Sequence, residues 1–239
     1  DGITEGGSVI GVSLSASETD VTGRGTGKST AAIDSYTASL YLDKATDAGY
    51  VEGSLTVGYN ENENSRVLSS GGLSRTYKGR YDSQQVSLKI GGGMPTEVGS
   101  GSYVTPFGSL TGTQITHKKY TESSTGADAL RLTVDQDDIT SVIGTVGLKA
   151  HKVTDYGTPM ISLAVNSELG DDTISASNTY TGGGTAFKTL TEVEPVSATL
   201  GIGYSYGSDL VSLDIGYEAE ANDDEYLSHY GSVRIVSKF

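Results

Sequence analysis

The stretch Val196-Ser-Ala-Thr-Leu-Gly-Ile-Gly-Tyr-Ser-Tyr206 decides how this chain is read. Val196, Ala198, Leu200, Ile202, Tyr204 and Tyr206 are apolar, and every residue between them is small or polar. After Gly207-Ser208-Asp209 the alternation resumes with Val211, Leu213, Ile215, Tyr217 and Ala219. A third segment, Tyr230 to Phe239, ends on an aromatic residue. A period of two sustained this far describes long strands with two unlike faces. Strands of soluble proteins are mostly about five or six residues long, whereas a tilted strand needs about nine to eleven to cross a bilayer. These strands have the length of membrane spans.

Composition agrees and removes several alternatives. The 239 residues include 33 Gly, 15 Tyr, three Phe, four Pro and no Trp. Gly at about twice its usual ~7% share disfavours helices. No run of about 18 apolar residues marks a transmembrane helix, and the mean hydropathy of -0.24 decides nothing, because a barrel hides its apolar residues in alternation. The absence of cysteine excludes a disulfide scaffold and cysteine metal sites. A net charge of -14 offers no basic stripe to a nucleic acid, so no nucleic-acid partner is expected. No initiator Met and no signal-like n-region precede Asp1, which reads as the start of a mature or truncated product.

Read in order, the alternating segments are Val9–Ser17, Tyr36–Leu42, Val51–Tyr59, Val86–Ile90, a less regular one over Tyr103–Ile115, Val142–Ala150, Ile161–Val165, and the three terminal ones, ten in all. Long polar connections (18–34, 60–80, 116–138, 170–194) alternate with short ones (44–48, 91–101, 151–157, 207–209). Outer-membrane barrels have this sidedness, with long loops outside and short periplasmic turns, whereas Greek-key sandwiches have no reason for it. The expected fold is all-β, an antiparallel transmembrane β-barrel forming one domain over 1–239. Leu130, Leu132 and Val134 are expected to extend a hairpin above the membrane.

With the apolar parity against lipid, the other parity faces water. It carries Asp43, Glu52, Lys89, Lys149, Asn166, Asp214, Glu218, Arg234 and Lys238, the candidate lumen-facing residues. Tyr59, Tyr204, Tyr206 and Tyr217 near strand ends are candidates for the interfacial aromatic girdle. The competing architecture is a soluble β-sandwich that buries the apolar parity against a second sheet ~10 Å away.

Signatures of chemistry are sparse. Gly23 to Thr30 looks like a phosphate-binding loop, but the required spacing puts Thr22 where Gly is needed, and the segment leads into a strand rather than a helix. His117, His151 and His229 lie in or near three different connections, with no cysteine nucleophile or nucleophile elbow nearby. An outer-rim protease site would have to combine His117, His229, Asp223 and Asp224. Acidic clusters at 135–138, 171–172 and 223–225 offer oxygen ligands to divalent ions without an EF-hand spacing. No catalytic, cofactor or metal site is assigned.

The run Ser162-Leu-Ala-Val-Asn-Ser-Glu-Leu-Gly-Asp-Asp172, the Gly-rich Thr181 to Gly184 before Phe187, the segment Val196–Tyr206 and the ending Gly231-Ser-Val-Arg-Ile-Val-Ser-Lys-Phe239 resemble the translocator barrel of autotransporters, the type V secretion family. Thr105-Pro-Phe107 and Gly147-Leu-Lys149 are similar to its middle strands. The resemblance implies a non-enzymatic twelve-stranded barrel in the outer membrane of a Gram-negative bacterium. It would anchor and export the chain's own N-terminal passenger, with a helix left in the pore. Implied partners are outer-membrane lipid and lipopolysaccharide, and the barrel assembly machinery. That machinery would read a C-terminal signal of Gly231, Val233, Ile235 and Phe239, from which Ser237 departs, an aromatic being commoner there. Ten strands rather than twelve leave two readings: either two strands and a pore helix lie upstream of Asp1, or this is a smaller barrel that shares only the family's later part. The expectation is that Val9–Ser17 is not the first strand of the closed barrel. The alternatives are a small stand-alone porin or structural barrel and a surface β-sandwich adhesin or fibre subunit.

If the parity is right, Leu200→Arg or Ile202→Arg should impair membrane insertion by about 2–4 kcal/mol near the midplane, and Thr199→Arg or Ser212→Arg far less. Heat-modifiable migration of the membrane fraction measures this. Equal damage on both parities is the result expected of a sandwich core.

Overall fold

The computed structural model describes residues 2–4, 6–23, 29–70, 73–125, 128–208, 211–223 and 226–237. Phe239 and Lys238, the stretch 24–28 of the glycine-rich segment, and Asp209, Asp224 and Glu225 lie outside the described residues. In chain order the strands are β1 (Gly2–Ile3), β2 (Ser8–Thr22), β3 (Thr30–Thr46), β4 (Gly49–Ser70), β5 (Leu73–Gly93), β6 (Thr96–Gly99), β7 (Ser102–His117) and β8 (Tyr120–Thr121). They continue with β9 (Leu132–Gln136), β10 (Ile139–Lys152), β11 (Thr158–Glu168), β12 (Thr173–Tyr180), β13 (Phe187–Glu192), β14 (Val196–Gly207), β15 (Val211–Ala221) and β16 (Leu227–Ser237).

A single antiparallel sheet runs β1-β2-β3-β4-β5-β7-β10-β11-β14-β15-β16, with β6 continuing the β5 edge against β7. Ten of these strands are long, and they coincide with the ten alternating segments of the sequence. The sheet curls as a half-barrel. Among the described residues β2 and β16 are not paired with each other; the far side of β2 carries β1, through Gly2↔Ile10 and Ile3↔Val9.

Register places the apolar residues in continuous rows on one face. One row runs Pro106, Leu148, Leu163, Leu200, Ala219 through directly opposed partners, and another Leu40, Leu55, Leu88. These side chains have nothing packed over them: Leu163 is 58% exposed, Leu200 50%, Leu148 56% and Leu88 56%. The total accessible surface is 15484 Å², against about 10,000 Å² expected of a compact soluble protein of this mass. The apolar parity is not a sandwich core. It is a bare belt, which in water would be a large exposed apolar patch and in a bilayer is the solvated face.

The strands overrun the belt. β4 and β5 have 22 and 21 residues, so at ~3.4 Å per residue β4 reaches about 70 Å, well beyond an apolar band of about 25 Å. The segments 18–34 and 60–80, expected to be polar loops, are largely ladder: Glu18↔Asp34, Asp34↔Glu61 and Glu61↔Asp82 are direct cross-strand partners. Outside lipid the alternation has nothing to answer to, so polar residues pair as strand without an apolar signature. The segments 116–138 and 170–194 are corrected likewise. They carry a second, four-stranded sheet, β13-β12-β9-β8, which includes the expected hairpin residues Leu132 and Val134 in β9.

Irregularity in β7 has a packing cause. Phe107 lies on the polar parity, opposite Gly93 and Gly147, and a Cβ built on Gly147 would stand 2.5 Å from the Phe107 ring and 2.6 Å from the Leu163 carbonyl oxygen. Tyr41 covers Gly11 on the neighbouring sector in the same way. Aromatic side chains on the concave face thus lie flat over glycines. Gly147→Ala should therefore destabilise the folded barrel by about 1–3 kcal/mol. Gly112→Ala, where a Cβ meets nothing within 4 Å, should leave it unchanged in urea-unfolding titrations in detergent.

Candidate functional site

The concave face carries the parity rich in small, hydroxyl and charged residues, with Tyr50, Phe107 and Met160 among them. A cavity of about 550 Å³ is lined by residues of seven consecutive wall strands, among them Glu52, Lys89, Lys149, Asn166 and Glu218. Five of the sequence-chosen lumen candidates therefore come together in one concavity. Asp43 stands directly across from Glu52, on the same face. Asp214 and Arg234 are cross-strand partners on β15 and β16, away from the cavity.

Three of these groups, Glu52, Lys89 and Asn166, are paired within the face. Lys89 Nζ and a Glu52 carboxylate oxygen are 2.8 Å apart. Thr145 Oγ1 donates to Asn166 Oδ1 (2.9 Å), and Asn166 Nδ2 reaches Thr199 Oγ1 (3.0 Å), Ser197 Oγ (3.2 Å) and Glu220 Oε1 (3.3 Å). Hydroxyl pairs Ser39/Thr56 and Ser87/Thr113 cross neighbouring strands at 2.7 and 2.8 Å. The face presents both charge signs and many hydroxyls. Such a lining is wettable and has little affinity for any one apolar side chain.

Above the belt, the four-stranded sheet encloses a second cavity, of about 690 Å³, with the ends of β2, β3 and β4. Its inner face carries Leu132, Val134, Ile174, Ala176, Tyr180 and Phe187. Here most of the buried apolar side chains gather: Tyr77 is fully buried, and Leu132 and Val134 are buried. Arg66 Nε and Nη2 donate to Glu122 Oε1 and Oε2 at 2.8 and 2.6 Å, and Arg66 lies 4.4 Å over the Tyr77 ring. Tyr77 Oη donates to Asp128 Oδ2 (2.8 Å), and Tyr81 stacks on Tyr120 with ring centroids 4.7 Å apart. None of Arg66, Tyr77, Glu122 and Asp128 stood out in the sequence. The one local hint was a pair of tyrosines, Tyr77 and Tyr81, in a stretch otherwise read as solvated loop.

The histidines are dispersed: His117 lies beside Tyr81, His151 stacks on Tyr103, and Tyr217 Oη and His229 Nδ1 are hydrogen-bonded. No protease-like cluster of His117 with His229 and Asp223 forms. Among the described residues no group of three or more His, Asp or Glu side chains is placed to hold a metal ion. Gly231, Val233 and Ile235 lie on the apolar parity of β16, opposite Tyr217, Ile215 and Leu213.

A curled antiparallel sheet with a bare apolar face outside and a polar concavity inside defines the wall of a membrane-spanning β-barrel. The family model for the autotransporter beta-domain matches residues 1–218, and the chain belongs to that family: an outer-membrane barrel of Gram-negative bacteria that exports a passenger. Among solved structures, the translocator domain of the autotransporter NalP from Neisseria meningitidis is similar at TM-score 0.75 and 18% identity, over 97% of this chain and 76% of that one. The beta domain of the Bordetella autotransporter BrkA is similar at TM-score 0.54 and 14% identity, over 97% and 91%. At these identities the likeness is one of fold. No curated protein matches the sequence.

The Asp128 carboxyl is held below the usual carboxylate range, first by the Leu130 N–H, then by the Tyr77 hydroxyl. A depressed value stabilises the folded segment between β8 and β9 fully above the unfolded value of about 3.9, and that contribution disappears as pH falls through the depressed value. Amide hydrogen exchange of 128–132, corrected for its intrinsic pH dependence, should accordingly be less protected at pH 2 than at pH 5. Asp128→Asn should show the lower protection already at pH 5.

Proposed function

We propose that the concave face lined by Glu52, Lys89, Lys149, Asn166 and Glu218 is the wall of the path along which the chain's own passenger segment leaves the cell. The observation carrying this is the mutual pairing of the lining. Glu52 with Lys89, and Asn166 with Thr145, Thr199 and Glu220, leave a hydrated surface of largely paired polar groups, on which the remaining charges, Lys149 and Glu218, are of opposite sign, so that no single-sign field holds a passing polypeptide. Barrel and passenger path form one domain over 1–239, and the barrel acts as anchor and conduit rather than as an enzyme.

Both free edges must be covered in lipid, where an unpaired backbone group is costly. Because β1 already lies on the β2 edge at Val9 and Ile10, closure through further strand segments is favoured over direct pairing of β2 with β16. The outward row Gly231, Val233, Ile235 presents an accessible strand face to the assembly machinery, with Phe239 completing the signal. The belt contacts lipid acyl chains, with lipopolysaccharide above it.

The test is an epitope fused ahead of Asp1. It should become digestible by protease added to intact cells while the wall stays protected. Glu52→Leu combined with Lys89→Leu should lower epitope exposure several-fold without lowering the amount of inserted barrel. An inserted barrel whose epitope stays protected would contradict the export reading.

A further inference from the structure

We propose that the four-stranded sheet β13-β12-β9-β8 is a hinged lid across the outer mouth of the bore and that Arg66 with Glu122 is its latch. This rests on the reading of the concave face as an export path. In the wall, β11 and β14 lie on the far side of the strand order from β2 and β3. Yet Phe187 and Thr189, carried on the segment between β11 and β14, line the same cavity as Val21 and Gly23 at the end of β2. A segment that begins at one sector of a curled wall and ends beside the opposite one has crossed the opening.

The sheet has the two faces a lid requires. One parity turns Val134, Ala176 and Tyr180 toward the cavity. The other carries Thr121 and Thr133, hydroxyl to hydroxyl at 2.9 Å, and the exposed Lys119–Asp135 pair. The ladder from Gln136↔Ala176 to Leu132↔Tyr180 joins the two loop segments, so they move as one body.

The wall hairpin holds the outer segment through the backbone bridge Lys78↔Ser123, the Tyr77–Asp128 bond and the Tyr81–Tyr120 stack, and, as the one charge pair that also grips β9, through Glu122 and Arg66. Glu122 is 6% exposed. It takes both Arg66 bonds and, through Oε2, the Leu132 N–H at 2.7 Å, while Arg66 Nη2 also reaches the Leu130 carbonyl at 3.1 Å. Arg66 belongs to β4, whereas Glu122, Leu130 and Leu132 belong to the lid. Removing the Arg66 charge leaves the buried Glu122 carboxylate with only the Leu132 N–H, and removing the Glu122 charge takes from Arg66 its counter-charge, so either change favours the detached state. A chain leaving the bore has to displace this sheet, and the strength of the latch sets how often the mouth is open.

The test uses the absence of cysteine in the native chain. Thr111→Cys places a reporter thiol in the concave cavity, and intact cells are treated with a bulky membrane-impermeant maleimide. Labelling should be slow in the otherwise native chain and about tenfold faster with Arg66→Met or Glu122→Gln, a modest shift of a two-state opening. Ser177→Cys, on the outer face of the lid, should label equally fast in all of them, which establishes that each variant reaches the surface, while unchanged heat-modifiable migration establishes that its barrel is folded. Hydrogen exchange of amides 173–192 should rise with the same substitutions while wall amides do not change. Rapid labelling in the native background, or latch variants that alter neither labelling nor exchange, would overturn the proposal. Replacing 173–192 by a short flexible linker separates the two readings. If Thr111→Cys stays unlabelled even then, no continuous bore reaches the surface and the export reading itself fails.

Discussion

Backbone hydrogen bonding in hydrocarbon is the constraint from which the rest follows. Within a bilayer no water is available to pair an N–H or C=O, so a strand survives only with ladder partners on both sides. The wall meets this with unbroken antiparallel register from β2 to β16: Thr140 through Lys152 all find partners on β7, and Met160 through Ser167 on β14. Once the ladder is fixed, side chains have no choice of face. Every second residue meets acyl chains and every other one meets water, so Leu163 and Leu200 stand bare outside while Asn166 and Thr199 hydrogen-bond inside.

Above the bilayer the ladder persists but its selection rules change. β4 and β5 continue as a hairpin through Asn62↔Tyr81 and Ser65↔Lys78, with acidic and amide side chains on both faces. Stability there has to come from packing of the ordinary globular kind, and it does: Tyr77 is buried under Arg66, and Leu132 and Val134 are buried along one side of the outer cavity. The molecule therefore has two solvents and two sorts of core. Its belt is stabilised by lipid, and its outer sheet by a small protein interior organised around one buried ion pair.

This division explains what could be read from residues alone. Alternation is imposed by the lipid, so all ten wall strands were legible, down to Val86, Leu88 and Ile90 in a strand of few apolar residues. Phe107 and Tyr103 blurred β7 because an aromatic lying over Gly147 looks, in sequence, like a lipid-facing residue. Five lumen residues that share a concavity could be chosen by parity, since parity is conserved along a ladder. The outer sheet could not be foreseen, because nothing local distinguishes Glu122 paired with Arg66 from the solvated acidic residues around it. Such a pair joins positions far apart in the chain and becomes visible only when the topology sets β4 beside the segment after β7.

The most direct test of the account is which parity of β14 touches lipid. The chain has no tryptophan, so a single Trp placed at Leu200, Ile202, Thr199 or Ser197 reports on its own surroundings without background. In vesicles containing lipids brominated along the acyl chain, emission from Leu200→Trp and Ile202→Trp should be strongly quenched. Thr199→Trp and Ser197→Trp should be protected and respond instead to aqueous iodide. Equal quenching at all four positions, or quenching of the Thr199 and Ser197 probes alone, would contradict the account.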